Sequence, residues 1–422
     1  MDYFNYKSGE LFAEGVPLTF LAGKYGTPLY VYSQKTLKRH INAVKEVFKK
    51  SKTLICFACK ANDNSEILGI IKSGGLGADC VSGGELALAR RVGIPPAKIV
   101  FNGNGKTEDE IILALKMGVK MINMDSIQEL FTVSRLAKKM KIRPRVSFRV
   151  NPEIKVSTHT RIATGIKKSK FGITCGEAPE AYKLAKKLGA VSASGIHVHI
   201  GSQIIDTKPF AEALKKLVSL SKELKKAGIF LKYVNAGGGL GVRYNREFPA
   251  TLREYSRVIL KHAAGIAPHL ILEPGRMLVA NAGILLTRVV LVKNSGGVKF
   301  IVVDCGMNDL LRPTLYDAFH DIVPVCFSDD RKEDFYDIVG PICESGDVFA
   351  RRRSLREVFA GECLAVKSAG AYGYSMSSNY NLRPRPAEVM VDGGKDRLIR
   401  KREKLQDIIG TVPRRFAKRR RR

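Results

Sequence analysis

Tryptophan is absent from this chain of 422 residues, and histidine occurs only seven times. Acidic residues are also few: 40 Asp and Glu stand against 71 Lys and Arg, for a net charge of +31. A surplus of that size attracts anions, whether substrates, nucleic acid or anionic membranes. The aromatic–basic interleaving of nucleic-acid-binding segments is missing, and +7 of the charge sits in Arg414, Arg415, Lys418 and Arg419–Arg422. We therefore read the charge as a solvated cationic surface with a basic tail at 412–422, and expect no nucleic-acid partner. No apolar run approaches the roughly 20 residues that cross a bilayer. Met1–Glu10 shows no basic-then-apolar signal pattern. The expectation is a cytoplasmic protein with no membrane partner.

Cysteine is sparse as well, at eight residues. Cys56 and Cys59 have CxxC spacing, yet no second CxxC or nearby His pair completes a tetrahedral metal site. Thr53–Ala58 reads as a buried strand, where a thiol behaves as a small hydrophobe. No metal is expected.

What is present is a globular composition, 45% hydrophobic and 26% charged. The length exceeds what one core usually serves, so two domains are expected. From about residue 35 to 280, short apolar runs alternate with amphipathic helical stretches. The candidate strands are Thr53–Ala58, Gly77–Val81, Ile99–Phe101, Met121–Met124, Arg145–Val150, Ser194–Ile200, Tyr233–Ala236 and His269–Leu272. Helices such as Thr107–Met117, Ser126–Lys139 and Lys208–Ala227 lie between them. Eight such alternations predict an α/β fold, a (β/α)8 TIM barrel, with an open doubly wound sheet as the alternative. After Ala280 the β-branched runs Gly283–Val292, Val298–Val303 and Glu388–Val391 have no long helices between them. They predict a second, mostly antiparallel β domain. Leu29–Tyr32 has the same character, so the expected division is 36–280 for the barrel and 1–35 with 281–411 for the β domain.

Several segments can carry chemistry. Lys60 follows the apolar run Leu54–Ala58, at a strand end where barrel active sites are built, and a lysine there can condense with an aldehyde. Gly237–Gly239 lie in Asn235–Gly241, where backbone N–H groups can approach a phosphate; a plain turn fits equally. Glu273, in Glu273–Pro274–Gly275–Arg276, can pair with a protonated ring nitrogen or with Arg276 itself. His197 and His199 share one face if the strand continues through both. They can be metal ligands, core residues or a stacking platform. Cys343, in Gly340–Asp347, can be an acid, a nucleophile or an inert thiol.

The ordered set FACKAN, GADCVSGGEL, FNGNGKT, SFRVNP, KFGI, HVHIGSQ, GGGLG, EPGR, VDCGMNDLLRP, GPICESGD and GAYGYSMSSNYNLRPR spans about Tyr30 to Val391. It resembles the diaminopimelate decarboxylase family of alanine-racemase-like, fold-type III pyridoxal-phosphate enzymes. The resemblance implies a barrel that binds pyridoxal 5'-phosphate as a Schiff base on Lys60, with Asp79 among the cofactor-binding residues. His199 would stack on the ring. Ser202, Gly237, Gly238 and Gly239, with the backbone of Gly275 and Arg276, would cradle the phosphate, Glu273 would meet the pyridine nitrogen, and Tyr372 would touch both phosphate and substrate. Arg276, Arg312 and Tyr316 would hold a distal carboxylate, and Glu344 a distal amino group. Cys343 would protonate the substrate carbon across the interface of a homodimer. The implied reaction is decarboxylation of meso-2,6-diaminopimelate to L-lysine, the last step of lysine biosynthesis. An ornithine, lysine or arginine decarboxylase of the same fold is the alternative. Those relatives place Asp-Gly after the cysteine, whereas Glu344–Ser345 follow it here, and Arg312 suits a distal carboxylate. Two departures from the family pattern stand out: Thr158–Ile162 reads Thr-His-Thr-Arg-Ile where Thr-His-Pro-Tyr-Ile is usual, and Cys59 replaces a small aliphatic residue.

Overall fold

The computed structural model describes residues 2–154 and 169–410; the altered loop at 158–162 and the basic tail at 412–422 lie outside the described residues. The chain divides into two compact units, Thr36–Ala280 and Met1–Lys35 together with Asn281 onward.

The first unit is a closed parallel barrel. Its strands are β1 (Thr53–Ala58), β2 (Gly77–Cys80), β3 (Ile99–Phe101), β4 (Met121–Met124), β5 (Arg145–Asn151), β6 (Ser192–His197), β7 (Tyr233–Asn235) and β8 (His269–Leu272). Each pairs in parallel with the next, and β8 returns to β1, which leaves no open edge among them. The doubly wound alternative is thereby excluded. The strands read as near-continuous apolar runs because a parallel barrel strand is covered on both faces. Cys56, Val100, Met121 and Ile271 pack together as part of the buried core.

Local chemistry sets the helix limits. Thr107 caps Glu108–Met117 through a capping box with Glu110, and Gly118 ends it in the left-handed region at φ 68°. Ser126 caps Ile127–Lys139 by accepting from the Glu129 amide. The helix expected over Lys208–Ala227 spans Lys208–Lys226.

One strand differs from expectation in a way that matters below. Ser194–Ile200 was the predicted strand; β6 instead spans Ser192–His197. Its partners β5 and β7 pair with it only as far as His197. Past that point no neighbour continues the ladder, and the chain turns out of strand geometry. The strand that was to carry both histidines therefore includes His197 but not His199.

The second unit is a mostly antiparallel sheet. Its spatial order is Val348–Arg356, Glu333–Val339, Val298–Val303, Gly283–Ser295, Leu29–Ser33, Ala387–Asp392 and Lys395–Arg400. Ile322–Pro324 and Cys363–Val366 branch from Gly283–Ser295. Two pairings are parallel: Leu29–Ser33 with Ala387–Asp392, and Val298–Val303 with Glu333–Val339. Leu29, Val31, Ile284, Leu286, Ala365, Val389 and Val391 form its core with Phe4 and Leu11 from the N-terminal hairpin.

Candidate active site

At the C-terminal ends of the barrel strands, polar side chains form a connected chain. Lys60 sits in the one-turn 3-10 segment Cys59–Ala61 directly after β1. Its Nζ donates to Asp79 Oδ2 of β2 at 3.0 Å; the Asp79 side chain is fully buried, whereas that of Lys60 is 37% exposed. Asn102, just past β3, donates through Nδ2 to Asp79 Oδ1 at 2.6 Å and to Glu273 Oε1 at 2.7 Å. Asn235, closing β7, donates to the same Glu273 oxygen at 2.5 Å. Asn123 of β4 donates to Asn102 Oδ1 at 2.6 Å and accepts from Ser147 of β5. His197 Nε2 stands 3.3 Å from Glu273 Oε2, without hydrogen-bond alignment.

Two buried carboxylates in this chain are tuned in opposite directions. Burial pushes the Asp79 carboxyl up, and the nearby Lys60 ammonium and Asn102 amide only partly oppose it. Burial would also raise Glu273, but the His197 imidazole, Lys60 and Asn102 outweigh it. They hold Glu273 far below the ordinary carboxylate range. Glu273 is therefore a fixed anion in a dry setting.

The glycine run borders this chain. Gly237 has φ 67°, and a Cβ there would stand 2.5 Å from the Val198 carbonyl and 2.9 Å from His199 Nδ1. A Cβ on Gly238 would overlap the Glu273 carbonyl oxygen. Only glycine lets this loop press against both neighbours. The Gly238 amide donates to His199 Nδ1 at 3.2 Å. Burial, then Arg149 and Lys60, hold the His199 imidazole well below its ordinary value. It is neutral, with Nδ1 as acceptor and the proton on Nε2. Arg276 donates through Nη2 and Nε to Ser202 Oγ, at 3.1 and 3.3 Å, and through Nη1 to the Tyr244 hydroxyl at 2.8 Å. Gly275 is pressed on Ala58 and Ala61, where a Cβ would come within 3.0 and 3.1 Å.

A phosphorylated pyridine aldehyde asks for an amine, an anion for its ring nitrogen, and a close-approach cradle with donors for its phosphate. Lys60, Glu273, and the Gly237–Gly239 loop beside Ser202 and Arg276 supply these on one barrel end, so the residues fit pyridoxal phosphate.

The remaining expected residues lie in the β-rich unit. Arg312, buried in the short helix Arg312–Tyr316, donates from Nη1 to His320 Nε2 at 2.8 Å. His320 Nδ1 in turn meets the Lys367 carbonyl at 2.8 Å, which places the ring proton on Nδ1. Tyr316 is half-buried at the end of that helix. Cys343 and Glu344 are exposed on the loop after Glu333–Val339. The Cys343 amide donates to Asn381 Oδ1 at 2.9 Å. Asp347 holds the loop, accepting from the Ile342 and Met307 amides at 2.8 and 2.6 Å. Tyr372 takes φ 55°, in the left-handed region that is uncommon for a non-glycine residue.

Sequence reasoning passed over Asn102, Asn123, Asn235, His197 as Glu273's neighbour, Tyr244 and His320. Asparagine at successive strand ends was the available signal. Each of these residues alone looks like a turn former.

Residues 34–280 match the family described as pyridoxal-dependent decarboxylase, pyridoxal binding domain. The diaminopimelate decarboxylase of Aquifex aeolicus is 48% identical over 411 residues, 96% of each chain. The crystal structure of diaminopimelate decarboxylase from Helicobacter pylori complexed with L-lysine has a TM-score of 0.90 and 41% identity, covering 93% of this chain and 98% of that one. That of the M. jannaschii enzyme in co-complex with L-lysine has a TM-score of 0.92 and 40% identity, covering 98% of each.

Proposed function

The chain belongs to the diaminopimelate decarboxylases of the pyridoxal-dependent decarboxylase family, and we propose that it converts meso-2,6-diaminopimelate to L-lysine and carbon dioxide, the last step of lysine biosynthesis. The observation that carries this reading is the single network joining Lys60, Asp79, Asn102 and Glu273. When bound, pyridoxal phosphate supplies an aldehyde that condenses with amines and a protonated ring that takes up the electron pair left by departing carbon dioxide.

The chain's own residues do the rest. Lys60 would hold the cofactor, with Asp79 orienting its Nζ. Glu273 keeps a ring proton in place because it stays anionic. Asn102 and Asn235 fix its Oε1, so the carboxylate does not have to reorganise. His199 offers a neutral imidazole face. Ser202, Gly237–Gly239 and the Gly275–Arg276 backbone form the phosphate cradle, and Tyr372 adds a hydroxyl.

Arg312 binds the distal carboxylate of the substrate. Its guanidinium fork matches two carboxylate oxygens, and the His320–Lys367 carbonyl relay sets its orientation before substrate arrives. Tyr316 and Arg276 share that carboxylate, and Glu344 takes the distal ammonium. Cys343 delivers the proton to the carbon that lost carbon dioxide. We assign Cys343 and Glu344 to the active site of a partner copy in a homodimer; their exposure on one loop supports this. No helix among the described residues is long and apolar enough to cross a membrane, and all eight cysteines are free. We place the enzyme in the cytoplasm.

The test is carbon dioxide release by the purified holoenzyme from meso-diaminopimelate, lysine, ornithine and arginine. Diaminopimelate should be preferred by at least about 100-fold in kcat/KM, the scale of losing a buried charge pair at about 2.7 kcal/mol. Faster turnover of ornithine overturns the substrate assignment. A Lys60→Ala protein that keeps the near-visible Schiff-base band overturns the cofactor assignment.

A further inference from the structure

Cys59 and Cys80 flank the two residues that open the active-site network. Cys59 begins the turn that carries Lys60, and Cys80 follows Asp79 at the end of β2. Ala58 and Asp79 are the last register partners of two adjacent parallel strands, and Cys59 and Cys80 each follow one member of that pair. Both side chains are fully buried. Glu85 enters from a third element, the first turn of the helix Gly83–Val92. Two thiol sulfurs and one Glu85 carboxylate oxygen all lie within 4.8 Å of one another. Among the described residues this is the one convergence of three His, Cys, Asp or Glu donors. The CxxC spacing suggested a different pair. The structure sends Cys56 into the barrel core, where its sulfur meets the Lys98 carbonyl at 3.5 Å.

We propose that Cys59, Cys80 and Glu85 form a binding site for a thiophilic divalent cation of the zinc class, lying directly behind Lys60. Sulfur ligands select such a cation over magnesium or calcium, which prefer oxygen alone. Three protein donors leave one tetrahedral position open. Around a zinc with Zn–S of about 2.3 Å, two sulfurs stand roughly 3.8 Å apart. Starting donors within 4.8 Å reach that spacing by side-chain shifts of about 1 Å. One Glu85 oxygen, Oε2, accepts from the Val81 amide at 2.7 Å, and that bond holds the carboxylate toward the thiols as an outer-shell contact would. Binding displaces the two thiol protons and joins the Lys60 turn to β2 through the cation.

The test uses the holoenzyme, purified in reductant and stripped with a chelator. Zinc is titrated in against a chromophoric competitor, and the zinc-loaded protein is examined by X-ray absorption at the zinc edge. The expected result is one zinc per chain with two sulfur neighbours at about 2.3 Å and oxygen or nitrogen for the rest. Cys59→Ala and Cys80→Ala should each lose the zinc, and Cys326→Ser should keep it. Absence of stoichiometric zinc, unchanged binding in both buried variants, or an edge spectrum without sulfur overturns the proposal. If a variant does not fold, the wild-type spectrum alone decides, since it counts the sulfur ligands directly.

Discussion

Replacing Asn102 with alanine tests whether the barrel-end network positions the Glu273 carboxylate for the proposed reaction. Asn102 makes two hydrogen bonds to carboxylates, Asp79 and Glu273, and accepts one from Asn123. A bond to a charged group is worth about 1.5–3 kcal/mol and a neutral one about 0.5–1.5 kcal/mol. Glu273 keeps Asn235, and Asp79 keeps Lys60, so the loss is partly made up. We expect a destabilisation of about 3 kcal/mol, seen as a fall of roughly 5–10 °C in the barrel transition. Glu273 stays ionised at neutral pH, because its Lys60 and His197 neighbours remain. The catalytic effect is therefore one of position, and kcat should fall about 10–100-fold, or about 1.4–2.8 kcal/mol.

The sign of the pH effect follows from the same residues. Glu273 is depressed in the folded protein, so it contributes stability above its unfolded pKa of about 4.3, lost as pH falls through the lower folded value. In Asn102→Ala the depression is smaller, so the variant should lose less stability on acidification than wild type. Asn102→Asp is the sharper probe. It sets a third carboxyl against Asp79 and Glu273, and three such groups do not all ionise at that spacing. Its kcat should fall as pH rises from 6 to 9, whereas Asn102→Ala should show no such trend. Thermal melts and kcat–pH profiles of both variants check this. An Asn102→Ala enzyme with wild-type kcat and Tm would refute the positioning argument.

Arg312→Lys should raise KM for diaminopimelate by about 10–100-fold, because an ammonium lacks the fork that binds both oxygens. His320→Ala should raise KM by a smaller factor with little change in kcat, and steady-state kinetics separates the two. Gly238→Ala should lose pyridoxal phosphate on dialysis or fail to fold, since its Cβ would overlap the Glu273 carbonyl; cofactor absorbance after dialysis reads this out. Asp309 is buried, and burial raises its pKa to about 7. Its folded value lies above the unfolded one of about 3.9, so its contribution is full below pH 4 and is lost as pH rises to 7. Wild type should therefore lose Tm relative to Asp309→Asn between pH 5 and 8, and parallel melts at the two values measure the difference.

Much of the barrel was legible because its signals are local. Thr107 and Ser126 cap helices by bonds to residues three positions on, and a capping pattern is written in adjacent letters. The alternation of short apolar runs with amphipathic stretches also survives as a one-dimensional pattern. The limit of β6 was not legible. His197 ends that strand because β5 and β7 stop pairing there, and a neighbour's length leaves no trace in the residues themselves. The same holds for the site. Lys60, Glu273, Cys343 and the glycine run could be named as candidates from their motifs, yet Asn102 and Asn235 could not, since they touch Glu273 from 171 and 38 positions away in sequence.

The sequence by itself therefore determined the alternating architecture and the chemical groups at the strand ends. Those follow from side-chain chemistry and short-range bonds. Only the tertiary structure decided which of two buried carboxylates is the fixed anion, which nitrogen of His199 and of His320 carries the proton, and which cysteine meets which. Each of these depends on desolvation and on partners brought in by barrel closure or sheet pairing. Cys59 shows the difference most directly. Spacing offered it Cys56, three residues away, but that thiol packs in the core, and the pairing of β1 with β2 brings Cys80 near it instead.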